Sequence, residues 1–245
     1  HLKIKIVFWT FNMNYDDFLI FKNNILNESP QLINMSENNL YKYRPSLLSY
    51  DNTGHINNLV YRCHLVEDWL NFYQLPQTLK SKIGVSNGIR QSLSLISQFF
   101  SNNKFLIPKD VYPFYQKLFI QQNISFNEYN TLHNNELFNN LNSFDSDILL
   151  ITDPLKPLGR DILPSEYQNI HSWLTQNKNR ILIVDCAYHL DNKLNSYLLN
   201  LYLNTNQVIL LYSLSKAWSL PNCFGISLFM NNDLGYQLRE SFKLL

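Results

Sequence analysis

From residue 80 onward, short and almost wholly apolar runs alternate with longer stretches whose apolar positions recur every three to four residues. The runs are KIGV (82–85), KFLI (104–107), ISF (124–126), DILLI (147–151), RILIVD (180–185), QVILLY (207–212) and GISLF (225–229). A run of four to six apolar residues is too short for a helix and lacks the alternation of a strand with one wet face, so each predicts a buried strand. Between them, IRQSLSLISQFF places apolar residues at 89, 93, 96 and 100, one face of a helix. PSEYQNIHSWLTQ opens on Pro164, suited to a first helical turn, and lines up Tyr167, Ile170 and Leu174. Strand and helix in alternation predict an α/β fold of three layers, αβα, with a mostly parallel seven-stranded sheet covered on both faces.

Before residue 80 the pattern changes. NYDDFLIFKNNIL predicts a helix, RPSLLSYDNTG an extended and turn-rich segment, and INNLVYRCHLVEDWLNFY a longer helix. The expected organisation is an N-terminal segment over 1–49 and one large domain over 50–245. Strong punctuation falls only at Pro154, Pro157 and Gly159 and at the LPN of 220–222.

Composition narrows the class. With 45% hydrophobic and 16% charged residues in 245, the chain can bury a substantial core and is not of the disordered type. A formal net charge of +1 offers no electrostatic footprint for nucleic acid or a membrane surface, and no apolar run has the length of a membrane span. Cys63, Cys186 and Cys223 form no C-x-x-C pair, which predicts a reducing compartment, with a cytoplasmic location expected. The histidines at 55, 64, 133, 171 and 189 show no metal-ligand spacing. The frequent asparagines, as in HNNELFNNLNSF, have no period and are a compositional bias.

In sheets of this kind chemistry gathers beyond the C-terminal strand ends. The fifth run ends in VDCAYH, with Asp185 and Tyr188; the sixth leads into YSLSK, with Ser213, Ser215 and Lys216; the first leads into SNGIRQSL, where Gly88 opens a helix. A helix start offers backbone N–H groups to a phosphate. A lysine in a suitable pocket is a Schiff-base nucleophile, and a carboxylate behind a pyridine nitrogen strengthens that ring as an electron sink.

These segments resemble the fold-type I pyridoxal-phosphate enzymes of the class I/II aminotransferase kind, in register from about Tyr50 to Phe229. The resemblance implies that Tyr50, in SYDNTGHINNL, reaches the cofactor phosphate of a partner subunit. It implies that Asn87, Gly88, Ile89 and Arg90 form the phosphate-cradling turn and that Tyr112, in LIPKDVYPFY, stacks on the pyridine ring. It makes Asp185 the partner of the ring nitrogen and Tyr188 a partner of the phenolic oxygen, with Ser213 and Ser215 as phosphate ligands. Lys216 becomes the aldimine lysine and proton carrier. The cofactor is then pyridoxal 5'-phosphate, and the implied activity is amino-group transfer on a small amine or amino acid. A decarboxylation on the same site is an alternative, as is a catalytically degenerate subunit that serves as a scaffold. A homodimer is expected.

The chain departs from the family pattern at three places. DPLKPLG stands where the family has N-P-x-N-P-T-G, so Lys156 replaces an asparagine that bonds the phenolic oxygen; its charge favours the phenolate. Phe224 occupies the position of a phosphate-clamping arginine, and a charge-assisted contact is lost. The sequence ends soon after Lys216, so the family's small C-terminal domain, with its carboxylate-binding arginine, is expected to be absent, truncated or supplied by a partner chain. Arg239 matches no element of that pattern.

Overall fold

In the computed structural model, residues 15–28, 59–132, 138, 140–189, 195–217 and 224–243 are described. The chain divides into two compact units, His1–Asn38 and Asn39–Leu245. In the first, helix α1 spans Tyr15–Glu28.

The second unit is built on a seven-stranded sheet. Its strands are β1 (Ile83–Ser86), β2 (Phe105–Pro108), β3 (Phe126–Tyr129), β4 (Ile148–Thr152), β5 (Ile181–Asp185), β6 (Val208–Ser213) and β7 (Gly225–Leu228). The spatial order is β1-β7-β6-β5-β4-β2-β3. Every pairing from β6 to β3 is parallel, while β7 runs antiparallel to both β1 and β6. The expected α/β class, three layers and mostly parallel seven-stranded sheet are therefore observed.

The strands are apolar on both faces because both faces are covered. Alternate residues enter two separate cores. Leu149, Ile151, Leu182, Val184 and Leu210 pack with helices α2 (Leu59–Phe72), α5 (Pro164–Gln176) and α6 (Ser196–Thr205), through Trp69, Leu70, Ile170, Trp173 and Leu201. Ile148, Leu150, Ile181, Ile183 and Ile209 pack on the other side with α3 (Ile89–Phe99), α4 (Phe114–Gln121) and α8 (Asp233–Phe242). Leu93, Ile96, Phe119, Leu238 and Phe242 supply that layer. A single turn, α7 (Leu214–Ala217), follows β6. Among the described residues, no helix is long and apolar enough to cross a membrane.

Local chemistry sets the helix ends. In α5 the Glu166 carboxylate accepts the Leu163 N–H at 2.7 Å, one half of a capping box, and Pro164 fills the first turn. Asn195 caps α6 by accepting the Tyr197 N–H at 3.0 Å. β3 is one of the two edge strands, and only Tyr129 of its four residues is buried. That explains its offset from the predicted ISF: Ile124 is buried ahead of the strand, after Asn123 turns the chain at φ 55°.

Candidate active site

Parallel strands bring their C-terminal ends to one side of the sheet, and the reversed strand β7 brings its start there too. Gly225 is in register with Ser86 at the end of β1 and with Ser213 at the end of β6. Thr152 at the end of β4 is in register with Asp185 at the end of β5. Segments distant in sequence are thus gathered along one edge.

Asp185 is buried and fully engaged. Its Oδ2 accepts the Tyr115 hydroxyl at 2.5 Å and its Oδ1 accepts the Ala187 N–H at 2.9 Å. Burial, with the Asp185 charge behind it, pushes the Tyr115 hydroxyl well above the usual tyrosine range, so that group stays a donor. Tyr115 was not legible as a site residue. It stands one helical turn after Tyr112 at the start of α4, and the two rings meet edge to face at 5.7 Å.

Two lysines approach the ring of Tyr188. The Lys156 ammonium sits 3.6 Å from the centre of its ring, and the Lys216 ammonium 6.0 Å from the same point. Burial drives the Lys156 pKa below the ordinary lysine value; the nearby Asp185 carboxylate opposes this and the Lys216 charge adds to it. The structure thus brings Asp185, Tyr188, Lys156 and Lys216 together.

Lys156 is carried by a tight turn after β4. Its N–H donates to Thr152 Oγ1 at 2.8 Å, Leu155 N–H donates to the Arg160 carbonyl at 2.7 Å, and Gly159 takes φ 66° to close the loop. The peptides before Pro154 and Pro157 are cis. The turn is tied down at its far end, where the Arg160 guanidinium meets the Glu166 carboxylate in two parallel bonds of 2.8 and 2.7 Å. Beneath it Asp153, buried, accepts the Tyr167 hydroxyl at 3.2 Å and lies 3.5 Å from His189 Nε2. Asp153 N–H also donates to the Asp185 carbonyl at 3.1 Å, which locks the β4 and β5 ends together.

At the start of α3, Gly88 adopts φ 104° and has no side-chain cap. The Gly225 backbone presses against it: a Cβ on Gly225 would lie 2.7 Å from the Gly88 carbonyl carbon. Asn87 is exposed, and its N–H is taken by the Gln91 side chain at 2.7 Å. Ile89 and Arg90 occupy the first turn, where backbone N–H groups have no intrahelical acceptor. The Arg90 side chain is directed to α4, donating to the Tyr112 hydroxyl and covering the Phe114 ring at 5.4 Å. Ser213 and Ser215 share a hydrogen bond of 2.7 Å with each other. Phe224 packs against the core, and its carbonyl accepts the Leu214 N–H at 3.3 Å. Tyr50 lies outside the described residues.

The sequence model for aminotransferase class I and II matches residues 48–232. No curated protein sequence matches the chain significantly. Solved structures share the fold at low identity. L-threonine-O-3-phosphate decarboxylase from Porphyromonas gingivalis superposes with a TM-score of 0.58 at 17% identity, over 74% of this chain and 53% of that one. Histidinol-phosphate aminotransferase from Clostridium acetobutylicum gives 0.59 at 17% identity, over 73% and 54%. The PLP-bound C-S lyase from Staphylococcus hominis gives 0.61 at 16% identity, over 77% and 53%. The chain therefore spans about half the length of the solved structures it matches.

Proposed function

The chain belongs to the aminotransferase class I and II family, and on that premise we infer that it binds pyridoxal 5'-phosphate and transfers an amino group from a small amine or amino acid. The observation that carries this reading is the meeting of two amines over the ring of Tyr188, beside the buried carboxylate of Asp185.

The residues fit the cofactor. Gly88 opens α3 at φ 104°, a conformation that favours glycine, and the Gly225 backbone packs against it, so the helix start presents bare backbone N–H groups. Ser213 and Ser215 add hydroxyl donors, and the first-turn N–H groups of Ile89 and Arg90 complete a set suited to a phosphate. Asn87 takes part through its position in the turn. Phe224 contributes no charge there, so the phosphate rests on hydroxyls, backbone and helix dipole. Asp185 is the acceptor for a protonated ring nitrogen, and Tyr112 the aromatic for the ring face. Tyr188 and Lys156 serve the phenolic oxygen. The domain that does this is residues 50–245, and Tyr50 of a second copy in a homodimer completes the phosphate site.

When bound, pyridoxal phosphate supplies an electron sink for negative charge at the carbon beside the amine. The chain's own part is to hold and move protons. Lys216 Nζ is the amine that would hold the cofactor and would serve as the base that moves a proton to and from that carbon. Asp185, oriented by the Tyr115 hydroxyl and the Ala187 N–H, is the carboxylate that would keep a positive charge on the ring nitrogen.

The test is optical. Purified protein mixed with pyridoxal phosphate gains a visible absorption band that borohydride fixes, and Lys216→Ala does not. If wild type and variant have the same spectrum, the reading fails. Loss of the band on adding candidate amines then identifies the substrate. The decarboxylase and the lyase among the structural neighbours make other reactions at the same carbon the competing enzymatic reading. Phe224, packed on the core in place of a charged phosphate ligand, favours a non-catalytic scaffold as the second reading, and an unchanged spectrum is what that reading expects.

A further inference from the structure

Lys156 is an amine at the centre of the site, and the reading above gives it only a contact to the cofactor's phenolic oxygen and no proton to move. Its ammonium faces the Tyr188 ring at 3.6 Å, closer than that of Lys216 at 6.0 Å, on a turn braced by Thr152 and by the Arg160–Glu166 pair. An amine substrate presents a problem that this residue solves. At neutral pH the substrate arrives as an ammonium, which has no lone pair and cannot attack carbon until it loses a proton. Lys216, if it holds the cofactor covalently, has no free lone pair at that moment. Lys156 does.

We propose that Lys156 is a second catalytic amine, the base that takes the proton from the incoming substrate ammonium. The inference rests on the functional reading above. In the step, one N–H bond of the substrate breaks and its proton forms a new N–H bond on Lys156 Nζ. The electron pair stays on the substrate nitrogen, which becomes the nucleophile. One positive charge moves from substrate to lysine, and nothing is oxidised or reduced.

The surroundings decide whether Lys156 can be neutral. Burial disfavours its charge most, and the Lys216 ammonium disfavours it further; the Asp185 carboxylate and the Tyr188 ring favour it. Cys186 faces it as a thiol whose own pKa burial has raised well above the usual range, so it brings no thiolate. On the turn itself Asp153 is turned to Tyr167 and His189, and Arg160 to Glu166. The net lowering moves a lysine toward the range in which a general base works.

Two measurements test this. In the cofactor-free chain, competitive trace acetylation across pH, read by peptide mass spectrometry, should give Lys156 a midpoint below that of the surface lysines. Lys216→Met should move that midpoint upward by removing a like charge. In the pyridoxal-phosphate-loaded protein, the rate of band change is followed after mixing with ethylamine or with O-methylhydroxylamine, which is already uncharged at neutral pH. Lys156→Met should slow the ethylamine reaction at least tenfold more than the O-methylhydroxylamine reaction at pH 7.5, and that difference should vanish above the pKa of ethylamine. Lys156→Arg, which keeps the charge and cannot accept a proton, should behave like Lys156→Met. A Lys156 that titrates with the surface lysines, or a Lys156→Met whose loss is the same for both probes and at every pH, overturns the proposal alone. Wild-type protein that forms no band overturns the functional reading, and the base role with it, whatever the acetylation result.

Discussion

Replacing Tyr115 with phenylalanine removes one oxygen and leaves the ring. In the wild type that oxygen donates to Asp185 Oδ2 at 2.5 Å, in a buried position. The acceptor is a carboxylate, and hydrogen bonds to charged groups contribute about 1.5–3 kcal/mol. Asp185 Oδ1 is already committed to the Ala187 N–H, so the substitution leaves Oδ2 without the hydroxyl donor it has in the wild type. The expected cost is therefore about 2 kcal/mol, a sizeable share of the roughly 5–15 kcal/mol that stabilises a native domain. Packing is spared, since the edge-to-face contact with Tyr112 at 5.7 Å depends on the ring. Urea unfolding of the cofactor-free protein should show a lower midpoint with an unchanged slope. The same substitution made in an Asp185→Ala background should cost less by more than about 1 kcal/mol, because the two residues act as a pair. An effect of Tyr115→Phe below about 0.5 kcal/mol, or one that is equal in both backgrounds, would refute the claim that this hydroxyl holds the carboxylate.

Three more outcomes follow from the same geometry. Gly225→Ala puts a methyl 2.7 Å from the Gly88 carbonyl carbon, a backbone atom that cannot swing aside; thermal unfolding should show a loss of about 1–3 kcal/mol, and the phosphate of the cofactor should bind more weakly by equilibrium dialysis. Burial raises the pKa of Tyr115, Tyr129, Tyr167, Tyr202 and Tyr212 above the usual value of 10.0. Since the raised values belong to the folded state, their stabilising effect is complete below pH 10 and is lost above it as the unfolded chain ionises, at up to about 1.4 kcal/mol per pH unit per tyrosine; phenolate absorbance at 295 nm should appear together with unfolding rather than before it. For Glu166, burial raises the pKa but the Arg160 guanidinium and the Leu163 N–H outweigh it, so the folded value is lowered from 4.5; its contribution is present above that pH and is lost on acidification, and Glu166→Gln should flatten stability below pH 5 while costing about 1 kcal/mol at pH 7.

Much of this architecture was legible from residue pattern. A strand buried on both faces reads as a continuous apolar run, so six of the seven strands fall within about one residue of their predicted runs, and Pro164–Gln176 forms the helix expected of it. The misplaced β3 is an edge strand, where Asn127 is exposed and Glu128 only half-buried, so the strand itself carries no continuous apolar signal. Helix α6 carried no stripe to read, because Tyr197 and Leu203 are exposed while Leu198, Leu201 and Tyr202 are buried, which makes it apolar nearly all round.

The site divides in the same way. Asp185, Tyr188, Ser213, Ser215 and Lys216 were identifiable because each directly ends or follows an apolar run, and a parallel sheet puts those ends on one side. Local order along the chain was enough to single them out as candidates. Tyr115, one of 15 tyrosines, had no such marker. Nor could local order pair β1 with β7 across the whole domain, press Gly225 onto Gly88, or turn Arg90 toward Tyr112. Hydrophobic pattern reports what each segment buries, and that is a property of the segment itself. Which partner a buried hydroxyl, carboxylate or amine then meets depends on sheet order and helix docking, and those are settled only when distant segments pack together.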